Sequence, residues 1–198
     1  MMGKDSFPKI IRMLFLTSLF MCISNVLSAP INDFQTRIHR FRTAWDYVDR
    51  KYHESEFSRF INDLGKRESG NNWLSVNCIG CFGEWQFAES TIHFLGYKKI
   101  TLRKFKADPG IFPKELQRKV LESLIKVNLC LLRDYEHFIG DTIRGVVITK
   151  SGIIAASHLG GARSVELYLA SNGRINKKDV LKTSVFDYLR RFRYYDLN

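Results

Sequence analysis

One glutamate stands where a carboxylic acid could do acid–base chemistry. The stretch before it has apolar residues spaced i, i+3, i+4 and i+7, as in an amphipathic helix; these are Phe57, Phe60, Ile61 and Leu64. Glu68 follows Leu64 on the same face, and Gly70 is expected to end the helix. Loss of water and the negative end of the helix dipole both disfavour an ionised carboxylate. Both effects favour a protonated carboxyl near neutral pH, and such a group can act as a general acid on a glycosidic oxygen. The alternative is an ordinary glutamate that turns into solvent.

A glycine-broken stretch follows that helix. Gly80 and Gly83 can adopt backbone angles that other residues avoid, so they would let the backbone approach a bulky ligand. The alternative is a plain turn before a helix. We predict a second helix from about Glu84 to Leu95, because its apolar residues share one face and Gly96 follows it. That face carries Trp85, Ala88, Ile92 and Leu95.

The elements that must position these residues are mostly helical. Pro113 is expected to open a long helix; its apolar stripe comprises Leu116, Val120, Leu124, Val127, Leu131 and Tyr135. Two further helices, Ile153–Leu159 and Ser164–Ala170, are predicted to meet at Gly160 and Gly161. Thr183 or Ser184 can cap a last helix. The segment "GVVIT" is either a short strand or a loop.

The sequence therefore predicts a mostly α-helical fold. A chain of 198 residues with 45% hydrophobic residues can bury a core and is not typical of a disordered protein. We predict a single domain over residues 29–198.

The N-terminus has the layout of a secretory signal peptide. A basic start precedes the short apolar run "MLFLTSLFMCI", and small residues follow it. We predict cleavage after Ser28, so that the mature protein is periplasmic or secreted. The run is shorter than a membrane-spanning helix requires, although an uncleaved N-terminal anchor is the alternative. No other segment is apolar enough, so we expect no stable membrane insertion after processing.

The charge indicates an anionic partner. Removal of residues 1–28 changes 31 Lys and Arg and 20 Asp and Glu to 28 and 19, so the net charge goes from +11 to +9. A basic exported protein meets cell-wall polymers, lipid surfaces or polysaccharides. We expect no nucleic-acid partner, because export argues against it and no nucleic-acid motif is present. Solubility alone would also explain the charge.

The cysteines predict a structural role and no metal or cofactor. Cys78, Cys81 and Cys130 remain after processing, which permits one disulfide and one free thiol. A lone CxxC could also hold zinc or exchange thiols. No second CxxC or paired histidine spacing completes a zinc site, and no clear strand precedes the motif as in a redox site.

Three segments together resemble the soluble lytic transglycosylases, which share a lysozyme-like fold with the goose-type lysozymes. They are Glu68-Ser69, then "GCFGEWQF" from Gly80 to Phe87 with Thr91 after it, and the weaker match Ala155–Gly160. The resemblance covers about residues 57–170. It implies that Glu68 is the catalytic acid/base, that Gln86 lines the substrate groove, and that Ser69 supports the glutamate or the sugar.

The chain departs from the family at four positions. Glu84 and Trp85 stand where the family has apolar residues. Glu84 is either a second carboxylate in the groove or a charge at a helix N-terminus, and Trp85 either stacks on a sugar or packs in the core. Ser157 and His158 replace the family's tyrosine and asparagine, and we treat both as candidate substrate-binding residues. His158 can donate a hydrogen bond as asparagine does, or it is a buried, hydrogen-bonded residue.

The number of carboxylates suggests the reaction. Hydrolytic glycosidases usually place two carboxyl groups across the scissile bond, whereas only Glu68 has a strong positional argument here. A lytic transglycosylase needs one, because the sugar's own C6 hydroxyl attacks the anomeric carbon. The resemblance thus implies cleavage of the MurNAc–GlcNAc β-1,4 bond of peptidoglycan glycan strands, leaving 1,6-anhydro ends. The alternatives are a lysozyme-type muramidase in which Glu84 or another carboxylate guides water, and a non-catalytic wall-binding module.

Overall fold

The computed structural model describes residues 34–197. The predicted signal peptide and its cleavage site lie outside this range. The described residues divide into two units, one that ends at Tyr52 and one that begins at His53. Within residues 34–197, none of the helices combines the length and apolar character needed to cross a membrane. The predicted mostly α-helical class is confirmed.

Helix α1 spans Phe34–Ser69, and it ends where the sequence predicts. In the first unit, residues 34–52 are helical. In the second unit, Phe60, Ile61 and Leu64 are buried in the core. Gly70 stops the helix with a positive φ of 69°, a conformation that glycine adopts without steric cost.

The predicted second helix begins later than expected. Residues 82–87 form a tight hairpin in which the backbone N–H groups of Phe82 and Phe87 each donate to the other's carbonyl, at 3.0 and 2.9 Å. Gly83 and Gln86 turn the chain with φ of 88° and 49°, which no α-helix contains. Helix α2 therefore covers only Glu89–Phe94.

A buried aromatic cluster connects this hairpin to the next elements. Helix α3 (Leu102–Ala107) and a 3₁₀ turn (Pro109–Ile111) lead into the long helix α4, Lys114–Leu131. The rings of Phe82 and Phe105 lie 5.0 Å apart, and Phe112 packs edge-on against Phe82 at 5.8 Å. Burial of these rings stabilises a segment with little regular structure of its own.

Helix α4 begins after Pro113 as predicted, but its buried face is rotated from the predicted stripe. Val120 and Leu124 are buried, whereas Leu131 is exposed. The face turned to the core also includes Gln117, Leu121, Ile125 and Asn128.

The "GVVIT" segment forms part of a small hairpin. A 3₁₀ stretch, Arg133–Phe138, precedes β1 (Thr142–Ile143) and β2 (Val146–Val147). The strands pair antiparallel, with Thr142 opposite Val147.

Helix α5 occupies the centre of the core. It spans Lys150–Ala170 and is broken at Gly161, whose φ of 73° is not helical; this confirms the predicted junction of two helices. α5 packs against α4 and against the last helix, α6, Val185–Arg191. Of the two predicted caps, Ser184 is the observed one, in a reciprocal capping box with Asp187.

Candidate functional site

Glu68 lies half-buried in the last turn of α1 and is held by a residue of α6. The hydroxyl of Tyr188 donates a hydrogen bond to Glu68 Oε1. Burial raises the pKa of the Tyr188 phenol, and the negative charge of Glu68 and the hydrogen bond to it raise this pKa further. Tyr188 therefore keeps its proton at physiological pH, and its hydrogen bond fixes the orientation of the Glu68 carboxyl group.

Ser69 fastens the end of α1 to the 82–87 hairpin. Its Oγ donates to the carbonyl oxygen of Glu84 at 2.7 Å and accepts from the backbone N–H of Asn72 at 3.0 Å. The hydroxyl thus fixes the position of the hairpin relative to the neighbouring Glu68.

Gln86 is held in the same hairpin. Its Nε2 donates to the carbonyl of Gly83 at 2.7 Å and to that of Ser75 at 3.3 Å. Its Oε1 is buried, and no group in residues 34–197 donates to it. A buried acceptor without a donor is uncommon in folded proteins, so Gln86 Oε1 retains an unused capacity to accept a hydrogen bond.

Glu84 is a buried ion-pair partner. Its exposed fraction is 3%, and its Oε2 lies 3.4 Å from Lys114 Nζ. The prediction that a helix begins at about Glu84 is wrong, because α2 begins at Glu89. The carboxylate lies in the wall of a pocket of about 310 Å³ between α1, the hairpin and the first turn of α4.

Trp85 is a core aromatic. It is 2% exposed, and its Nε1 donates to the carbonyl of Ile61 at 2.9 Å. Most of its ring area is therefore unavailable for stacking on a sugar.

Ser157 and His158 lie in α5 but form hydrogen bonds with different partners. Ser157 is buried, and its Oγ donates to the carbonyl of Ile154 within its own helix at 2.9 Å. His158 Nε2 lies 2.8 Å from the carbonyl oxygen of Trp85; since a carbonyl only accepts, Nε2 carries the proton. The third sequence segment therefore contacts the second through His158.

Two residues that hydrogen-bond to Glu68 and Glu84 were not predicted from the sequence. One is Tyr188, which occupies a buried position on α6. The other is Gln117, which is fully buried and accepts at Oε1 from the backbone N–H of Glu84 at 2.7 Å. Its Nε2 donates to the carbonyls of Phe112 and Trp73, at 2.8 and 3.0 Å. A glutamine on the apolar face of α4 was the available signal, since buried polar side chains normally hold specific partners.

Cys78, Cys81 and Cys130, the cysteines within the described residues, are free thiols, in place of the disulfide that the sequence permits. Burial raises the pKa of the Cys81 thiol, a hydrogen bond with Asn77 opposes this, and the negative charge of Glu68 adds to the rise. Across residues 34–197, no cluster of three or more His, Cys, Asp and Glu is placed to hold a metal ion.

The structure thus brings Glu68, Ser69, Gln86 and His158 into one connected set of segments, together with Tyr188. It places Glu84 in a neighbouring pocket and Ser157 inside α5. No protein-family model, curated protein or solved structure matches the chain.

Proposed function

We propose that this protein is an exported peptidoglycan lytic transglycosylase, periplasmic or secreted, with Glu68 as its single general acid/base. The observation that carries the proposal is the hydrogen bond from Tyr188 to the half-buried Glu68. It holds a carboxyl group in a defined orientation, beside a hairpin in which Gln86 Oε1 is buried and receives no hydrogen bond from the described residues. Such preorganisation is what general acid–base catalysis requires of a carboxyl group.

In this mechanism Glu68 acts twice. It first gives its proton to the glycosidic oxygen, so that the C1–O bond of the MurNAc ring breaks and the GlcNAc end leaves as an alcohol. The resulting carboxylate then takes the proton of the C6 hydroxyl of the same ring. That oxygen bonds to C1, closes the 1,6-anhydro ring and leaves Glu68 protonated for the next cycle. An internal nucleophile avoids the entropy cost of positioning a water molecule.

The ion pair of Glu84 favours a mechanism with one catalytic carboxyl group over a mechanism with two. Its carboxylate is buried and neutralised by Lys114, so it is poorly suited to activating a water molecule across a sugar from Glu68. This supports transglycosylation over hydrolysis.

Mass spectrometry of digested peptidoglycan tests the proposal. We expect 1,6-anhydro ends with the wild-type protein and at least about 100-fold slower digestion with Glu68→Gln. Glu136→Gln, a change of the same kind at an exposed residue of the 3₁₀ stretch, should digest normally, and thermal unfolding should show that both variants are folded. Reducing ends in place of anhydro ends would indicate a muramidase. Wall binding without digestion by the wild type would indicate a binding module, and full activity of Glu68→Gln would remove Glu68 from the mechanism.

A further inference from the structure

The loop between α5 and α6 has a hydrogen-bonded tip, formed by residues 177–184. Lys178 and Ser184 form an isolated antiparallel bridge. Beyond it, the backbone N–H of Asp179 donates to the carbonyl of Thr183 at 2.8 Å, and that of Lys182 to the carbonyl of Asp179 at 3.1 Å. Asp179 Oδ1 also accepts from the N–H of Thr183 at 2.7 Å. The shape of the tip is therefore set by its backbone and Asp179, without help from the side chains at its end.

Two aliphatic side chains project from this tip. Val180 is 74% exposed and Leu181 is 65% exposed. Single exposed aliphatic residues are common, but these two are adjacent, and three exposed lysines surround them in sequence: Lys177, Lys178 and Lys182. The only acid in the loop, Asp179, is engaged in the turn.

We propose that the 177–184 loop docks onto the surface of an anionic lipid bilayer. Val180 and Leu181 would enter the boundary between headgroups and acyl chains, while the lysines would lie at the lipid phosphates. An exposed aliphatic pair flanked in sequence by exposed lysines matches the two parts of such an interface. A glycan fits less well, because the loop offers no aromatic face on which a sugar could stack. This is peripheral binding, and it does not depend on the proposed function.

The loop also adjoins the candidate site. Arg67 Nη2 donates to Thr183 Oγ1 at 3.4 Å, and Arg67 directly precedes Glu68 in the last turn of α1. Docking through the tip would therefore place the Glu68 site close to the lipid surface, where a membrane-facing layer of substrate would be within reach.

Co-sedimentation of the full chain with vesicles tests the proposal. We expect tighter binding to vesicles of phosphatidylcholine with 25% phosphatidylglycerol than to phosphatidylcholine alone. Val180→Ser with Leu181→Ser should weaken binding about tenfold. Changing Lys177, Lys178 and Lys182 to Gln should weaken it about fivefold per lysine. The controls change other exposed aliphatic residues and lysines and should bind as the wild type does; they are Leu131→Ser with Val147→Ser, and Lys98, Lys99 and Lys106 to Gln.

A second measurement shows directly whether the tip enters the bilayer, independently of what the rest of the chain contributes to binding. Trp fluorescence of Leu181→Trp should be quenched by brominated lipids on anionic vesicles, above the level of the wild type, whereas Leu131→Trp should add no quenching. An unquenched Leu181→Trp, or tip variants that bind as tightly as the wild type, would overturn the proposal. Tip variants that lose binding to purified peptidoglycan while keeping vesicle binding would assign the loop to the wall instead.

Discussion

Tyr188 donates a hydrogen bond to Glu68 across 120 positions of the chain. The bond joins the last turn of α1 to the middle of α6, and the phenol is 3% exposed. A carboxylate at a helix end would otherwise choose among several rotamers that reach water. Without this bond the Glu68 side chain could point into solvent. The bond therefore fixes the direction of the side chain.

Tyr188→Phe tests this positioning. The ring is kept and the donor is lost, so we expect the free energy of unfolding to fall by about 1–3 kcal/mol. Under the proposed function, the turnover of peptidoglycan should fall about tenfold, which corresponds to about 1.4 kcal/mol in the barrier. Urea unfolding and the initial rate of glycan release measure the two effects.

The control for Tyr188→Phe is Tyr194→Phe, because the Tyr194 side chain is exposed. Tyr194→Phe should change neither the free energy of unfolding nor the initial rate of glycan release. A Tyr188→Phe variant that is less stable but turns over at the wild-type rate would limit Tyr188 to a structural role.

Gly83→Ala tests the shape of the 82–87 hairpin. An added Cβ would lie 2.6 Å from Gln117 Oε1, at a φ of 88° that alanine avoids. Gln117 cannot move aside without losing its hydrogen bonds to Glu84, Phe112 and Trp73. We expect a loss of at least about 2 kcal/mol in the free energy of unfolding.

Gly96→Ala is the matched comparison for Gly83→Ala. Its φ of 95° is equally unfavourable, but an added Cβ would meet no atom within 4 Å. We expect it to cost about 1 kcal/mol. Equal losses in the two variants would show that Gln117 does not constrain the hairpin. Chemical denaturation of both variants gives the comparison.

The capping box of α6 predicts a pH dependence of stability. The side-chain hydrogen bond from Ser184 holds the pKa of the Asp187 carboxyl below its usual range. The folded state thus favours the ionised form, so its contribution is complete above about pH 4, the usual unfolded value, and is lost as pH falls through the lower folded value. Asp187→Asn should therefore be less stable than the wild type at pH 7, and the difference should narrow below about pH 4.

Urea unfolding at a series of pH values measures this narrowing. Asp134→Asn, at an exposed residue of the 3₁₀ stretch, is the control and should follow the wild-type curve. A stability difference between Asp187→Asn and the wild type that is constant from pH 3 to pH 7 would contradict the role of the ionised carboxylate.

Local patterns in the sequence predicted much of the fold. The apolar spacing before Glu68 and the glycine after it located the end of α1, Pro113 located the start of α4, and Gly161 marked the break in α5. These features depend on neighbours within a few residues, which a single sequence contains.

The 82–87 hairpin and the partners of the site could not be predicted in this way. The spacing of Trp85 and Ile92 fits a helix, and nothing in the type of Gln86 signals its positive φ. Tyr188 and Gln117 take their roles from partners 120 and 33 positions away, and only the folded chain brings those together.

The three hydrogen bonds of Gln117 have one more consequence. They reach Trp73, Glu84 and Phe112, three points along an irregular stretch that contains only short helices. The conformation of that stretch is thus set in part by a residue outside it, the Gln117 amide on the long helix α4. Surface substitutions between these three anchor points should be tolerated widely, so that the exposed side chains of this stretch can diversify without a change of scaffold.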